Sequence, residues 1–153
     1  MVTRSEIHQA FVKRFHAGKR VRPATEAQLA DAEGALSVVW PESYRQFALV
    51  CGAPYSPGLL DLVNARSPGF GEVQQFLTLR QSVTETRRWQ LEPERGCAAF
   101  ASDCSGNFFA FRQLSAAEPR ADDAVVWLFD HEAGTVIQQA PSFDQWLSQF
   151  LSL

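Results

Sequence analysis

The chain has 153 residues, of which 46% are hydrophobic and 20% are charged, and its formal net charge is −3; these proportions fit a folded single domain and exclude a disordered chain. No apolar stretch approaches the ~20 residues that span a bilayer, and Met1–Gln9 lacks the apolar core of a secretory signal, so we expect a cytoplasmic protein. Cys51, Cys97 and Cys104 form no CxxC pair and have no histidine at ligand spacing, so we expect small buried thiols and neither a disulfide framework, a metal site nor a cofactor.

The N-terminal segment predicts one helix followed by a basic connector. The helix begins after Thr3 or Ser5 and ends near Gly18. Its apolar residues recur at helical spacing and predict one docked side: Ile7, Ala10, Phe11 and Phe15. We therefore describe a single domain, residues 1–153, with a basic helix and connector in residues 1–22 and the core of the domain in residues 23–153.

Three further helices are indicated by their first turns. Thr25 with Gln28, and Thr78 with Gln81, have the spacing of a capping box, in which each side chain satisfies a backbone amide of the new helix. Pro41 suits the first turn of another helix because its missing N–H would have no partner there. The helix after Thr25 is expected to end near Leu36, the helix at Pro41 near Gly52, and the helix after Thr78 near Trp89.

Short apolar runs predict the strands. Leu59–Val63 and Val73–Leu77 indicate the first two, and Cys97–Ala101 pairs with Phe108–Leu114 around a turn at Asp103–Asn107, whose glycine and asparagine tolerate positive φ.

The last third of the chain predicts two more strands and a helix. Ala124–Phe129 is apolar on both faces, as in a central strand buried on both sides, and Thr135–Ala140 follows it. Ser142 caps a closing helix with five apolar positions at helical spacing. Helices at the start and end, with hairpin strands between them, predict an α+β fold: an antiparallel sheet with helices packed mainly on one face and a closing C-terminal helix, which leaves the other face partly free.

The sequence contains no recognisable reaction centre. His8, His16 and His131 each lack the neighbours that make a histidine a base or a ligand, so we expect structural or surface roles. Asp103–Gly106 resembles a nucleophile turn but has no GxSxG frame, which leaves a hydrolase based on Cys104 or Ser105 as a remote alternative. The acids at Asp122, Asp123, Asp130 and Glu132 are interpreted as solvated turn charges, since their spacing is not that of a calcium loop.

Charge is distributed unevenly along the chain. Residues 1–22 hold six Lys or Arg and one acid, a net of +5, so residues 23–153 hold −8. Basic residues near a helix end complement the helix dipole, although contact with nucleic-acid phosphates is an alternative. From Asp103 to Asp144, seven acids stand against Arg112 and Arg120. This cluster would suit a basic partner, or it would simply keep the protein soluble.

Several motifs in the same order resemble the SUKH superfamily, in particular its Smi/Knr-like branch. The N-terminal signature is carried by Glu33–Leu36, Trp40–Phe47 and Gly52, although Trp40 stands where members have leucine and Cys51 where they have asparagine. The later motifs are Gly106-Asn107 in a hairpin turn, Val125-Val126-Trp127, Asp130-His131-Glu132 and Ala140–Leu147. Members often have an aspartate at the position of Arg112. The resemblance covers roughly residues 25–151.

This resemblance implies a non-enzymatic, protein-binding α+β domain. Bacterial members are similar to immunity proteins, which neutralise a cognate toxin, often a basic nuclease domain, and a eukaryotic branch regulates cell-wall synthesis through protein contacts. An immunity protein is therefore the leading hypothesis, a regulatory scaffold for an endogenous protein the second, and a nucleic-acid-binding module the third. We expect a monomer or small homo-oligomer. The candidate partner-binding residues, chosen because turns and a free sheet face expose polar groups, are Asp61, Asp103, Asn107, Arg112, Asp130, His131 and Glu132.

Overall fold

A computed structural model describes residues 1–89, 96–114, 116 and 119–153, which contain six α-helices and five β-strands. The helices are α1 (Arg4–Phe15), α2 (Glu26–Leu36), α3 (Glu42–Cys51), α4 (Leu59–Arg66), α5 (Leu79–Arg88) and α6 (Phe143–Leu151). The strands are β1 (Gln75–Phe76), β2 (Ala98–Ser102), β3 (Phe108–Phe111), β4 (Val126–Asp130) and β5 (Thr135–Ala140). No helix within these residues has the length and apolarity that crossing a membrane requires.

The α+β fold class is confirmed. The strands form one antiparallel sheet in the order β1-β2-β3-β4-β5, so each strand pairs with its neighbours in the chain. One face of the sheet carries Phe100 and Phe111, whose rings contact Tyr44 of α3 and Phe143 of α6. Phe11 of α1 joins the same core. Burial of these rings is the main source of stability, because each aromatic side chain removes a large apolar area from water.

The helix ends follow the residues that the sequence places there. Both predicted capping boxes form, at Thr25 and at Thr78, and a third forms at Thr3. Gly52 ends α3 with φ of +62°. A Cβ atom at Gly52 would lie 2.1 Å from the backbone oxygen of Arg22, so both the conformation and the close approach of the chain require glycine.

Two predicted strands differ from the structure. Leu59–Val63 lies in α4, because Leu59 and Val63 are one helical turn apart and bury the same side; a short apolar run does not by itself distinguish a strand from a helix. β4 is an inner strand of the sheet, but only Val126 of its residues is buried. The prediction of burial on both sides is therefore wrong, because the second face, opposite the helices, carries only a small apolar cluster.

The β1 edge of the sheet is closed by side chains instead of a long strand. β1 has two residues, and beyond it α5 lies against β2. The Ser82 hydroxyl donates to the carbonyl of Ala99, and the Thr86 hydroxyl accepts from the Ala99 N–H at 3.0 Å. Two hydroxyl groups thus replace the hydrogen bonds of the missing strand. An isolated bridge between Tyr55 and Gln75 covers the rest of this edge.

Asp123 joins three separate elements at the start of β4. Its Oδ1 accepts hydrogen bonds from the Ser43 hydroxyl at 2.7 Å and from the backbone N–H groups of Ala124 and Phe143 at 2.8 Å. Its Oδ2 accepts from the Asp144 N–H at 3.3 Å. One carboxylate therefore fixes α3, β4 and the N-terminus of α6 to one another. The expectation that Asp123 is a solvated turn charge is wrong.

α1 is attached to this junction by ion pairs. Arg4 donates to both carboxylate oxygens of Asp122, at 2.7 and 3.0 Å, and through Nε to Asp144 at 2.6 Å. The other oxygen of Asp144 lies 2.7 Å from Nε2 of His8, which is 2% exposed. Burial raises the pKa of Asp144, but the hydrogen bonds from His8 and Arg4 outweigh it and hold that pKa below its ordinary value.

Asp123→Ala should lower the free energy of unfolding by roughly 2 to 4 kcal/mol, because each buried donor left without an acceptor costs about 1 to 3 kcal/mol. Urea denaturation followed by tryptophan fluorescence measures the change. Asp31→Ala, at an exposed position of α2, is the control and should change stability by less than about 0.5 kcal/mol. Equal effects of the two substitutions would contradict the role of the junction.

Arg4→Met should lower the free energy of unfolding at neutral pH by roughly 1 to 3 kcal/mol, through loss of its partly buried contact with Asp144. A carboxyl whose pKa is lowered by folding stabilises the protein above its unfolded pKa of about 4, and this contribution is lost as the pH falls through the folded pKa. The difference from wild type should therefore shrink below about pH 4.

Denaturant titrations across the acidic range measure this difference. Arg20→Met removes an exposed arginine from the connector and should give a small, pH-independent change. If the Arg4 variant is less stable than wild type by the same free energy of unfolding from neutral to strongly acidic pH, its ion pairs with the carboxylates contribute nothing to stability.

Candidate functional site

Two turns meet at one end of the sheet. In an antiparallel meander, the β2–β3 and β4–β5 turns lie at the same end, and β3 and β4 are neighbours. The turns Asp103–Asn107 and Asp130–Gly134 therefore lie side by side. Together with Trp89, at the end of α5, they form what we call the turn-end surface.

A hydrogen bond joins the two turns. Asn107 Oδ1 lies 2.6 Å from Nδ1 of His131 and accepts from the His131 backbone N–H at 3.2 Å. The amide group of Asn107 donates to Oδ2 of Asp103 at 3.0 Å. Because the amide nitrogen of Asn107 is used by Asp103, its oxygen faces His131, and Nδ1 of His131 must be the donor. The structure thus brings His131 against Asp103 and Asn107, a pair of candidates from a different turn.

Both aspartates of this surface also shape their own turns. Oδ1 of Asp103 accepts from the N–H groups of Ser105 and Asn107, each at 2.9 Å. Oδ1 of Asp130 accepts from the N–H groups of Glu132 and Ala133, each at 3.0 Å. These are the local bonds that make aspartate a common turn residue. Asp103 and Asp130 remain partly exposed and Glu132 is exposed, so all three present negative charge to solvent.

Trp89 contributes an aromatic surface that the sequence analysis missed. Its side chain is 47% exposed, and its ring centroid lies 6.0 Å from that of His131 and 6.3 Å from that of Phe108. The indole N–H donates to Glu85 at 2.8 Å, which fixes the ring. An exposed tryptophan at the C-terminal end of a helix was the available signal. Its position beside the turns depends on how α5 packs against the sheet.

The remaining two candidates lie elsewhere. Arg112 follows β3 at the opposite end of the sheet, and its guanidinium carbon lies 4.6 Å from the ring centroid of Trp127. It shares the second face with Phe108 but is not part of the turn-end surface. Asp61 was selected as a turn or sheet-face residue, and that premise is wrong, because it is exposed on α4, whose buried side joins the helix-side core.

The Cys104 thiol is not activated as a nucleophile. Cys51 and Cys97 are buried as expected, whereas Cys104 is exposed in the hairpin turn. Its hydrogen bond with Glu72 raises the pKa of the Cys104 thiol, whereas a reactive cysteine needs a lowered pKa. Among the described residues, no group of three or more His, Cys, Asp or Glu is arranged to hold a metal ion.

Part of the basic N-terminal charge is used inside the molecule. Arg14 donates to the carbonyl oxygens of Leu151 and Leu153, both at 2.8 Å, and so satisfies the C-terminal end of α6. Arg4 is paired with Asp122 and Asp144, as described above. The interpretation that basic residues complement a helix end thus applies to Arg14. The helix end that it complements is that of α6, whereas Arg14 itself lies on α1.

The comparison with protein families gives one match. The model of the SMI1 / KNR4 family (SUKH-1) matches residues 23–149, a range that contains the entire sheet and all helices except α1 and the last two residues of α6. The resemblance identified from the sequence motifs is thereby confirmed. Comparison with curated proteins gives no match.

Asn107→Ala should change the tautomer of neutral His131. In the wild type we expect the proton on Nδ1, because Asn107 Oδ1 is an acceptor there, whereas a solvent-exposed imidazole prefers the proton on Nε2. Long-range proton–nitrogen NMR spectra distinguish the two forms. Asn64→Ala, at an exposed position of α4, should leave the wild-type pattern unchanged. The same tautomer in wild type and Asn107→Ala would contradict the bond between the turns.

Proposed function

The chain belongs to the SMI1 / KNR4 family (SUKH-1), and on this premise we propose that it is a non-enzymatic immunity protein that binds and neutralises a bacterial toxin in the cytoplasm. The observation that carries the proposal is the turn-end surface, in which two acidic turns lie beside an exposed tryptophan whose ring is close to His131. Such a surface is suited to binding, and the raised pKa of its Cys104 thiol is the opposite of what a nucleophile needs.

The charge of this surface selects the class of partner. Asp103, Asp130 and Glu132 lie within two adjacent turns, and their field would attract a positively charged protein and orient its approach. A nuclease toxin is such a partner, because its substrate groove must be basic to bind nucleic-acid phosphates. The carboxylates would occupy the positions that the phosphates otherwise take, which excludes the substrate.

Trp89 supplies the apolar part of the proposed interface. Tryptophan is enriched among the residues that dominate binding energy, where a central aromatic ring is surrounded by polar groups. Trp89 has this arrangement, since its ring is held by Glu85 and lies against His131. We therefore infer that the carboxylates increase the rate of association with the toxin, and that Trp89 mainly slows dissociation of the complex.

The triple variant Asp103→Asn, Asp130→Asn, Glu132→Gln tests the proposal with the backbone hydrogen bonds of both turns kept, while the bond from the Asn107 amide to Oδ2 of Asp103 is lost. Asparagine keeps the side-chain oxygen that accepts the backbone N–H groups but lacks the charge. The affinity of this variant for a catalytically inactive form of the proposed toxin, sought among the products of neighbouring genes, should fall at least about tenfold at low salt, and its binding should depend less on salt. Calorimetric titrations at low and high salt measure both effects.

The control removes aspartate charges from α2 and α4. Asp31→Asn combined with Asp61→Asn should change the affinity by less than about twofold, because both residues lie outside the turn-end surface. Co-expression with the active toxin gives the cellular readout, in which wild type and control restore growth. Absence of binding by the wild-type protein would refute the immunity function, whereas binding that the triple variant retains would refute only its location.

A further inference from the structure

The outer edge of β5 is open in the part of the chain that the structure describes. β5 is the last strand of the sheet and pairs with β4 along one side, and the side chains from Thr135 to Gln138 are exposed. The opposite edge is closed by the Tyr55–Gln75 bridge and by the hydroxyl groups of α5. β5 therefore offers a row of backbone donors and acceptors to another strand.

β5 also lacks two of the features that usually prevent such pairing. Residues 135–140 include no charged residue and no proline, the two devices most often found on protected edges. Val136 and Ile137 are 39% and 50% exposed. The pairing with β4 is regular from Thr135 to Gln138, and the bulge of this ladder lies at Gln139. Up to Gln138 the edge is regular, neutral and partly apolar.

We propose that β5 pairs with β5 of a second copy of this chain, in an antiparallel arrangement about a two-fold axis at Ile137. Directly opposed residues in an antiparallel pair lie on the same face, so a two-fold axis perpendicular to the sheet must pass a residue and not the space between two. An axis at Ile137 opposes Val136 to Gln138 in the regular part of the strand and Thr135 to the bulged Gln139, whereas an axis one residue later would require Ala140, which is buried.

The distribution of charge favours a second copy over the toxin at this edge. The dimer ladder contains no charge, so two identical edges do not repel each other. Antiparallel pairing places the acidic turns of the two subunits at opposite ends, roughly 30 Å apart at about 3.4 Å per residue, well beyond the ~8 Å Debye length in physiological salt. A basic toxin, by contrast, finds its complementary charge on the turn-end surface. The dimer leaves that surface exposed on both subunits, and the inference does not depend on toxin binding.

Sedimentation velocity at increasing protein concentration tests the pairing. A short strand edge is smaller than standard interfaces of about 1,200 to 2,000 Å², so we expect a reversible dimer with a dissociation constant of roughly 1 to 100 μM. Ile137→Lys places two like charges opposite each other and should give a monomer over the same range. Val50→Lys introduces the same charge at an exposed valine of α3, which is 52% exposed, and should dimerise as wild type does.

Disulfide crosslinking tests the register. In a Cys104→Ser background, Ile137→Cys should form a covalent dimer on oxidation, because residues opposed at the axis have Cα atoms about 4.5 to 5.5 Å apart, within disulfide range. Val50→Cys in the same background should remain monomeric. A wild-type protein that is monomeric at about 1 mM, well above that range, or a dimer that Ile137→Lys leaves intact, would overturn the proposal. So would a monomeric wild type that loses toxin binding on Ile137→Lys, since this would assign the edge to the toxin.

Discussion

The carboxylate of Asp123 is the point on which the arrangement of the layers depends. It accepts hydrogen bonds from a serine of α3, from the first residues of α6 and from the chain that enters β4. These groups would otherwise be buried without partners, and leaving them so would offset much of the stability of a domain this size. Because α6 supplies the aromatic rings that cover the sheet, its position at this carboxylate determines where the sheet lies. The pairing of β3 with β4 then brings the two turns side by side.

Local sequence patterns predicted the parts of the fold that depend on neighbouring residues. The capping boxes at Thr25 and Thr78, the hairpin turn at Gly106 and the closing helix all form as expected, since each needs only residues a few positions away. The α4 segment was misassigned because an apolar run of five residues carries no periodicity. The role of Asp123 could not be predicted, since its partners are 80 positions before it and 20 after it in the chain.

The candidate site shows the same division. Asn107 and His131 were identified from motifs, and their contact follows from the order of the strands. Trp89 was missed because nothing in its local sequence specifies that α5 ends beside the turns. Asp103 and Asp130 each accept backbone hydrogen bonds within their own turn and also contribute its negative charge. A substitution that changes the charge at either position must therefore also keep an acceptor for these backbone hydrogen bonds. The side chain of Glu132 accepts no such backbone hydrogen bond among those described, so its charge can change without this requirement.

The family match begins at residue 23, yet α1 covers α6 and supplies both groups that bond to the side chain of Asp144. The shortest fragment that keeps these contacts is therefore longer than the range matched by the family model. A fragment that begins at residue 23 would lack the ring of Phe11 and would expose an aromatic groove. The half-buried carboxylate of Asp144 would then face no cation. Such a groove is a site of self-association. Fusion partners and reporters attached to this domain should accordingly be joined ahead of α1, so that the helix stays in place.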